Sequence, residues 1–263
     1  MTTVGDILAF VQTLAPLSMK MDWDQVGLNC GRAANPVTKV LVALDPFDEA
    51  IEEAIELGAE LLLTHHALIW QPGFITDSSS QGRRVLRLLE KGIAHINAHT
   101  NLDCAPGGVN DCLAQTLGLA DIHVIHPEGV DSLGRPYGLL RMGTVPEQTI
   151  EAFMTHVKEV LGSPGLRFVT AGSPVHRVAV GGGSCGSELE EVHAAGCDTF
   201  VTADIKYNTF RDAFDLGMNL IEAGHFHTEA PVCRYLAAQL AVQFPELTVE
   251  ISKKHTDPMK FFL

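Results

Sequence analysis

Apolar residues run through this chain in two rhythms. Short unbroken runs, such as Val40-Leu41-Val42-Ala43-Leu44 and Leu61-Leu62-Leu63, are bounded by polar residues or glycine and read as buried strands. Between them, apolar positions recur every three to four residues, as in Ala50, Ile51, Ala54 and Ile55, and read as amphipathic helices. The pattern predicts a helix over 3–15, with Thr3 as N-cap and Pro16 beyond its end. A strand at 39–45, a helix at 47–57 ended by Gly58, and a strand at 60–64 follow. A helix at 81–91 ended by Gly92 and a strand at 93–98 complete the first half.

The second half repeats this order. Strands are expected at 176–180, 198–202 and 219–223, with helices at 187–195, 207–216 and 228–243. Under that register Thr64-His65-His66 corresponds to Thr202-Ala203-Asp204, and the His99 region to the His225 region. The expected fold class is α/β: two related lobes with mixed, largely parallel sheets covered by helices. The expected segments are a first lobe at 1–127, a small strand–helix–strand bridging element at 128–175 and a second lobe at 176–263. The bridging element has an apolar face, Leu139, Leu140, Phe153, Val157 and Leu161, for which a neighbouring subunit is the expected cover.

Composition narrows the class. Of 263 residues, 46% are hydrophobic, enough for a sizeable core. A net charge of −14 argues against nucleic acid as a partner, because phosphate neutralisation needs clustered Lys and Arg. No apolar stretch has the length of a membrane span, and the first residues lack the basic and apolar regions of a signal peptide, so a cytoplasmic location is expected. Six scattered cysteines with no CxxC spacing are expected to be small buried residues.

The chemistry gathers at strand ends, where open α/β sheets keep their working residues. His65-His66 closes one apolar run, the stretch from His99 to Asp103 a second, and the stretch from His225 to Glu229 a third. His65 and His66 would point to opposite sides of a continuing strand, so a turn after Thr64 or two separate ions is needed to use both. His225 and Glu229 are spaced i, i+4, within reach of one ion on a helix. The candidate ligands are therefore His65, His66, Asp103, His225 and Glu229, with two divalent ions expected per chain. Three imidazoles and two carboxylates suit Zn, Fe, Mn or Co better than Mg or Ca. Such a site attracts anions and activates water, so hydrolysis of an anionic small molecule is its natural chemistry. His99, Asn101, Asp204, Lys206 and His227 are candidates for supporting the ligands or touching substrate. No catalytic acid or base stands out beyond them. The loop from Gly181 to Ser187 is read either as an anion cradle or as a tight strand-to-helix turn, and Ser187 with Glu190 as a capping box.

These stretches, together with Trp23-Asp24-Gln25-Val26-Gly27-Leu28, Gly107-Gly108-Val109-Asn110 and Thr202-Ala203-Asp204-Ile205-Lys206-Tyr207, resemble the NIF-three-like family, also labelled GTP cyclohydrolase I type 2 homologues. The resemblance runs in order along nearly the whole chain. It implies a toroidal homohexamer of stacked trimers with two metals in the cleft between the lobes. It also implies that His66 and Asp103 hold one metal and His65 and His225 the other, with Glu229 bridging. The chain departs from the family pattern at Ala67, where Pro is usual, at Ala203, where Gly is common, and at Asn208, where His is common. The function expected is a metal-dependent hydrolase, GTP cyclohydrolase type 2-like or a phosphoesterase, acting on a nucleotide-like or phosphate-bearing small molecule. The alternatives are a metal-handling protein and a hexameric interaction scaffold without turnover.

Overall fold

The computed structural model describes residues 1–71 and 73–262. In chain order, α1 (Val4–Leu14), β1 (Gly27–Cys30), β2 (Lys39–Ala43), α2 (Asp48–Leu57), β3 (Leu61–Thr64), α3 (Ser80–Glu90), β4 (Ala94–Asn97) and α4 (Thr100–Cys104) come first. Then follow α5 (Val109–Thr116), β5 (Ala120–Ile125), β6 (Gly129–Val130), β7 (Pro136–Tyr137), β8 (Leu140–Gln148), α6 (Ile150–Leu161) and β9 (Arg167–Val169). The chain continues with β10 (Val175–Val180), α7 (Leu189–Ala194), β11 (Thr199–Thr202), α8 (Tyr207–Asp215) and β12 (Asn219–Glu222). It ends with α9 (His225–Glu229), α10 (Pro231–Gln243) and β13 (Thr248–Ile251). Two compact units result: Met1–Leu102 with Val232–Thr256, and Asp103–Pro231 with Asp257–Leu263.

The first unit holds a sheet in the order β1-β4-β3-β2-β13. Its last four strands are parallel and β1 is antiparallel to β4. Leu41, Ala43 and Leu62 pack against Ala50, Ile51 and Ala54 of α2 and Val85 and Leu88 of α3. Helix α1 opens on a capping box, Thr3 with Asp6, which satisfies amide donors that the first turn leaves over.

The second unit holds a six-stranded mixed sheet in the order β5-β8-β10-β11-β12-β9. Strands β10, β11 and β12 are parallel to one another, and the other pairings are antiparallel. Side chains alternate faces with the two-residue strand period. Val178, Val180, Val201 and Ile221 join the core with Leu113 of α5 and Phe153 and Val157 of α6. Ala179, Phe200 and Leu220 join the opposite core with Leu189 and Val192 of α7 and Ala213 of α8.

The units divide the chain differently from the segments 1–127, 128–175 and 176–263. Strands β8 and β9, from the expected bridging element, pair with β10 and β12 of the same sheet. Its apolar face therefore needs no other subunit as cover. Phe153 and Val157 are fully buried inside the second unit, with Leu161 packed against the same core. The expected capping box at Ser187 is also absent. Glu188 occupies the N-cap of α7 without a side-chain cap bond, and the Ser187 hydroxyl instead donates to Glu188.

The repeat seen in the sequence reaches the backbone. Each unit contains a βαβαβ module, β2-α2-β3-α3-β4 in the first and β10-α7-β11-α8-β12 in the second. The strand registers align Val42 with Val180, Thr64 with Thr202 and Asn97 with Glu222. Bonds outside the ladders repeat too: Ala98 N–H to Thr64 O, at 3.1 Å, matches Ala223 N–H to Thr202 O, at 2.9 Å. Glu60 accepts from the amides of Thr38 and Lys39, and its counterpart Asp198 accepts from those of His176 and Arg177.

Candidate metal centre

In the first unit the strand stops at Thr64 and the chain turns. Thr64 Oγ1 donates to the His66 carbonyl at 2.6 Å, and His66 N–H donates to Leu44 O at 3.0 Å. This turn frees the adjacent histidines from the opposite-face geometry of a strand. Their ring centroids lie 4.8 Å apart. His65, fully buried, has Nδ1 2.9 Å from the Ala98 carbonyl. A carbonyl only accepts, so the proton sits on Nδ1 and the lone pair on Nε2. His66 Nδ1 donates to Asp45 Oδ1 at 2.6 Å, which sets the same tautomer. His255 Nε2 approaches Asp45 Oδ2 at 2.7 Å. Burial tends to raise the Asp45 carboxyl pKa, but the bonds from His255 and His66 outweigh it and hold it well below the usual carboxylate range.

The segment carrying His255 is pinned by Glu53 of α2, which accepts from Ser252 Oγ at 2.5 Å and from the amides of Lys253 and Lys254 at 3.1 Å. His99 follows β4, with Nδ1 3.0 Å from Asp24 Oδ1. Asp24 also accepts from the amide and hydroxyl of Thr100, at 3.0 and 2.5 Å. Burial opposes ionisation of Asp24, yet these partners bring its pKa down to about 2. Asn101 holds His99 in place, accepting from its amide at 2.9 Å and donating to Ala15 O at 2.7 Å. His65, His66 and His99 each offer a ring nitrogen, and these atoms lie within 4.8 Å of one another. This group could hold a metal ion. Three imidazoles, two of them with fixed tautomers and two with Nδ1 beside a carboxylate oxygen, match the outer support that metal-ligating histidines usually have.

The second unit places Asp103, Asp204, His225 and Glu229. His225 and Glu229 share α9, and His225 Nε2 lies 3.1 Å from Glu229 Oε2. His225 Nδ1 donates to Asp204 Oδ2 at 2.7 Å. Asp204 adopts φ 52°, a left-handed conformation that costs a non-glycine residue energy and is kept where function needs it. Glu229 is buried against the Gly181-Gly182-Gly183 turn. A Cβ on Gly183 would lie 2.2 Å from Glu229 Oε1 and 3.0 Å from His225 Nε2. Two amides of the turn are taken: Gly182 N–H donates to Asn110 Oδ1 and Gly183 N–H to Thr228 Oγ1. Asp103 is buried on α4. Burial foremost, and then the charges of Asp103 and Glu229, push the Cys185 thiol pKa well above its usual value. Both carboxylates thus act on one buried thiol. Among the described residues Cys30, Cys104, Cys112, Cys185 and Cys197 are free thiols.

The remaining candidates stand apart. His227 turns to the C-terminal tail, with Nδ1 3.2 Å from Leu161 O and Nε2 3.2 Å from Asp257 Oδ2. Lys206 and Asp204 line a pocket of about 180 Å³ with Ser184, Gly186, Ser187 and Thr209. Asn208 is exposed on α8, whereas Ala67 and Ala203 are buried. Asp45, Asp24 and His255 are not among the sequence candidates. The strand-end rule reaches Asp45, since it ends the 39–45 run, but nothing local marks His255.

The family model for Duf34/NIF3 (NGG1p interacting factor 3) matches residues 2–258. A Clostridium perfringens protein called GTP cyclohydrolase 1 type 2 homolog is 32% identical over 98% of this chain and 99% of its own length. A Streptomyces coelicolor protein of the same name is 35% identical over 98% of this chain and 94% of its own. Among solved structures, a Bacillus cereus protein related to NIF3 aligns with a TM-score of 0.92 and 25% identity, covering 100% of this chain and 99% of that one. A Staphylococcus aureus hypothetical protein aligns with a TM-score of 0.92 and 29% identity over 99% of both chains. With its ordered motifs, two α/β units and family match all in agreement, this chain belongs to the Duf34/NIF3 family.

Proposed function

We propose that the protein is a hydrolase dependent on two divalent metal ions, acting on a nucleotide-like or phosphate-bearing small molecule. The ligands we assign are His65, His66, Asp103, His225 and Glu229. The observation that carries the reading is the ring support: His65, His66 and His225 each commit Nδ1 to a protein acceptor, which leaves Nε2 as the ligating atom. The donor set of imidazole and carboxylate fits Zn, Fe, Mn or Co. Bound divalent ions would supply Lewis acidity and charge for an anionic substrate. The chain's own contribution is positioning. Asp45, Asp204 and Ala98 O orient the rings, and the Gly183 turn leaves room for the Glu229 carboxylate. We extend to this chain the homohexamer of stacked trimers that the family resemblance implies. Among the described residues no helix is long and apolar enough to cross a membrane.

The test is metal analysis of protein purified anaerobically from its own host, followed by a phosphoester and nucleotide turnover panel with Zn, Mn, Fe and Co. Two ions per chain and metal-dependent turnover are expected. Tight binding of two ions with no turnover across the panel favours a metal-handling role instead. Light scattering tests the assembly, and a stable species of about one chain's mass, 28.4 kDa, would overturn the ring.

A further inference from the structure

The chain has two tryptophans, Trp23 and Trp70, and both stand beside His99. The Trp23 ring centroid is 6.0 Å from that of His99 and the Trp70 centroid 5.1 Å, at interplanar angles of 70° and 89°. Each indole is steeply inclined to the imidazole, and neither is stacked parallel on it. Trp70 also reaches to 6.4 Å from the His66 ring. Neither indole is core: Trp23 is 64% exposed and Trp70 49%. Both sit in loops whose backbones are tied to the scaffold. Trp23 precedes the buried Asp24 anchor, and the Trp70 amide donates to Gln81 Oε1 at 3.1 Å.

Exposed indoles on fixed loops beside a polar cluster have a specific use. An indole offers a large flat apolar face at little cost in conformational freedom, and aromatic ligands stack on such faces whatever their pattern of hydrogen-bonding groups. The surroundings do not resemble the charge-depleted core of a protein interface. Asp22 is exposed next to Trp23, and the His66 and His99 rings lie beside the indoles. We infer that Trp23 and Trp70 form an aromatic subsite that takes the planar heteroaromatic ring of a nucleotide, leaving its phosphate end to the adjacent imidazole group. Naming the phosphate end rests on the metal-hydrolase reading above. The stacking subsite itself does not.

The experiment uses the full chain. With tryptophans only at 23 and 70, intrinsic indole fluorescence reports on this subsite alone. GMP is expected to quench it saturably, with ribose 5-phosphate at equal concentration leaving it unchanged. By calorimetry, Trp23→Ala and Trp70→Ala should each weaken GMP binding about tenfold, and Trp70→Phe should retain most of it. Both positions are exposed, so circular dichroism should show the fold intact. Ribose 5-phosphate binding as tightly as GMP would overturn the subsite. So would unchanged GMP affinity in the doubly substituted Trp23→Ala, Trp70→Ala protein. An emission shift that follows protein concentration instead of GMP would also overturn it, assigning the indoles to a subunit contact. Parallel turnover assays separate the two proposals. GMP-specific quenching without hydrolysis of any phosphoester removes the hydrolase and keeps the subsite. Equal hydrolysis of ribose 5-phosphate and GMP without quenching removes the subsite and keeps the hydrolase.

Discussion

The two βαβαβ modules carry different chemistry on the same backbone path. Their registers make Asp45 of the first the counterpart of Gly183 of the second, and His65-His66 the counterpart of Ala203-Asp204. In the first module the end of β2 supplies a carboxylate, Asp45, and the end of β3 supplies the rings it orients. In the second the roles move by one strand. The end of β11 supplies the carboxylate, Asp204, and the ring it orients is His225, after β12. The end of β10 then has nothing to orient, and the glycine there gives space to Glu229. A repeated scaffold thus fixes where a side chain begins, while its chemical type decides whether the position ligates, orients or makes room.

The largest test of this contrast is Gly183→Ala. The new methyl would overlap the Glu229 carboxylate, and φ of +63° strains any residue but glycine. Metal affinity is expected to fall more than about 100-fold, because a displaced ligand loses more than the 10–100-fold of a lost supporting group. Titration with Zn or Mn, followed by calorimetry, reads this directly. Affinity within a few-fold of the parent would mean that Glu229 is no ligand.

Next come the two orienting carboxylates. Asp45→Asn and Asp204→Asn each keep the size of the side chain and remove the charge that orders an imidazole. A loss of about 10–100-fold in metal affinity is the range for such partners. Asp45 should fall at the upper end, since its side chain is 14% exposed against 48% for Asp204. Paired titrations decide the order, and a larger loss for Asp204→Asn would reverse the assignment of the better-built site.

These residues also show what was legible in the sequence. The strand runs, the glycine-ended helices and the paired modules follow from local periodicity, and the strand-end histidines from position alone. Asp45 pairs with His66 across 21 residues and with His255 across 210. No window of sequence contains those contacts, so nothing in the sequence around His255 singles it out. The same distance in sequence hides the cover for Phe153 and Val157, which comes from α5 and from β10 to β12 and not from a partner subunit. In the loop from Gly181 to Ser187 the partners of the Gly182 and Gly183 amides, Asn110 and Thr228, are likewise distant in sequence.

A smaller contrast lies inside the sheets, where His95 on β4 occupies the position of Leu220 on β12. His95 Nε2 lies 2.8 Å from Thr64 Oγ1, which itself donates to the His66 carbonyl, so Nε2 carries a proton. Complete burial brings its pKa down to about 3. The unfolded chain binds a proton near the ordinary imidazole pKa of 6.5, which the folded chain cannot do until about pH 3. Stability contributed by this site is whole above pH 6.5 and falls as the pH drops toward 3, by about 1 kcal/mol per pH unit. His95→Leu, which copies the second module, should flatten that part of the acid limb in urea unfolding measured from pH 7 to 4. An unchanged slope would show that His95 is protonated in the fold.

The smallest expected effect tests whether the modules match in energy as well as path. Glu60 and Asp198 occupy equivalent positions, and each carboxylate ties down the two amides that open the preceding strand. Each is a local clamp near the surface, and hydrogen bonds to a charged acceptor contribute about 1.5–3 kcal/mol when well made and less when water can replace them. Glu60→Ala and Asp198→Ala should therefore each cost about 1 kcal/mol, with metal affinity unchanged, because neither residue approaches the rings or carboxylates assigned as ligands. Urea unfolding of the two variants beside the parent measures this. Equal losses would make the clamp a working part of both modules. A loss confined to one would leave the repeat as a similarity of backbone path, with its stabilising contacts arranged separately in each unit.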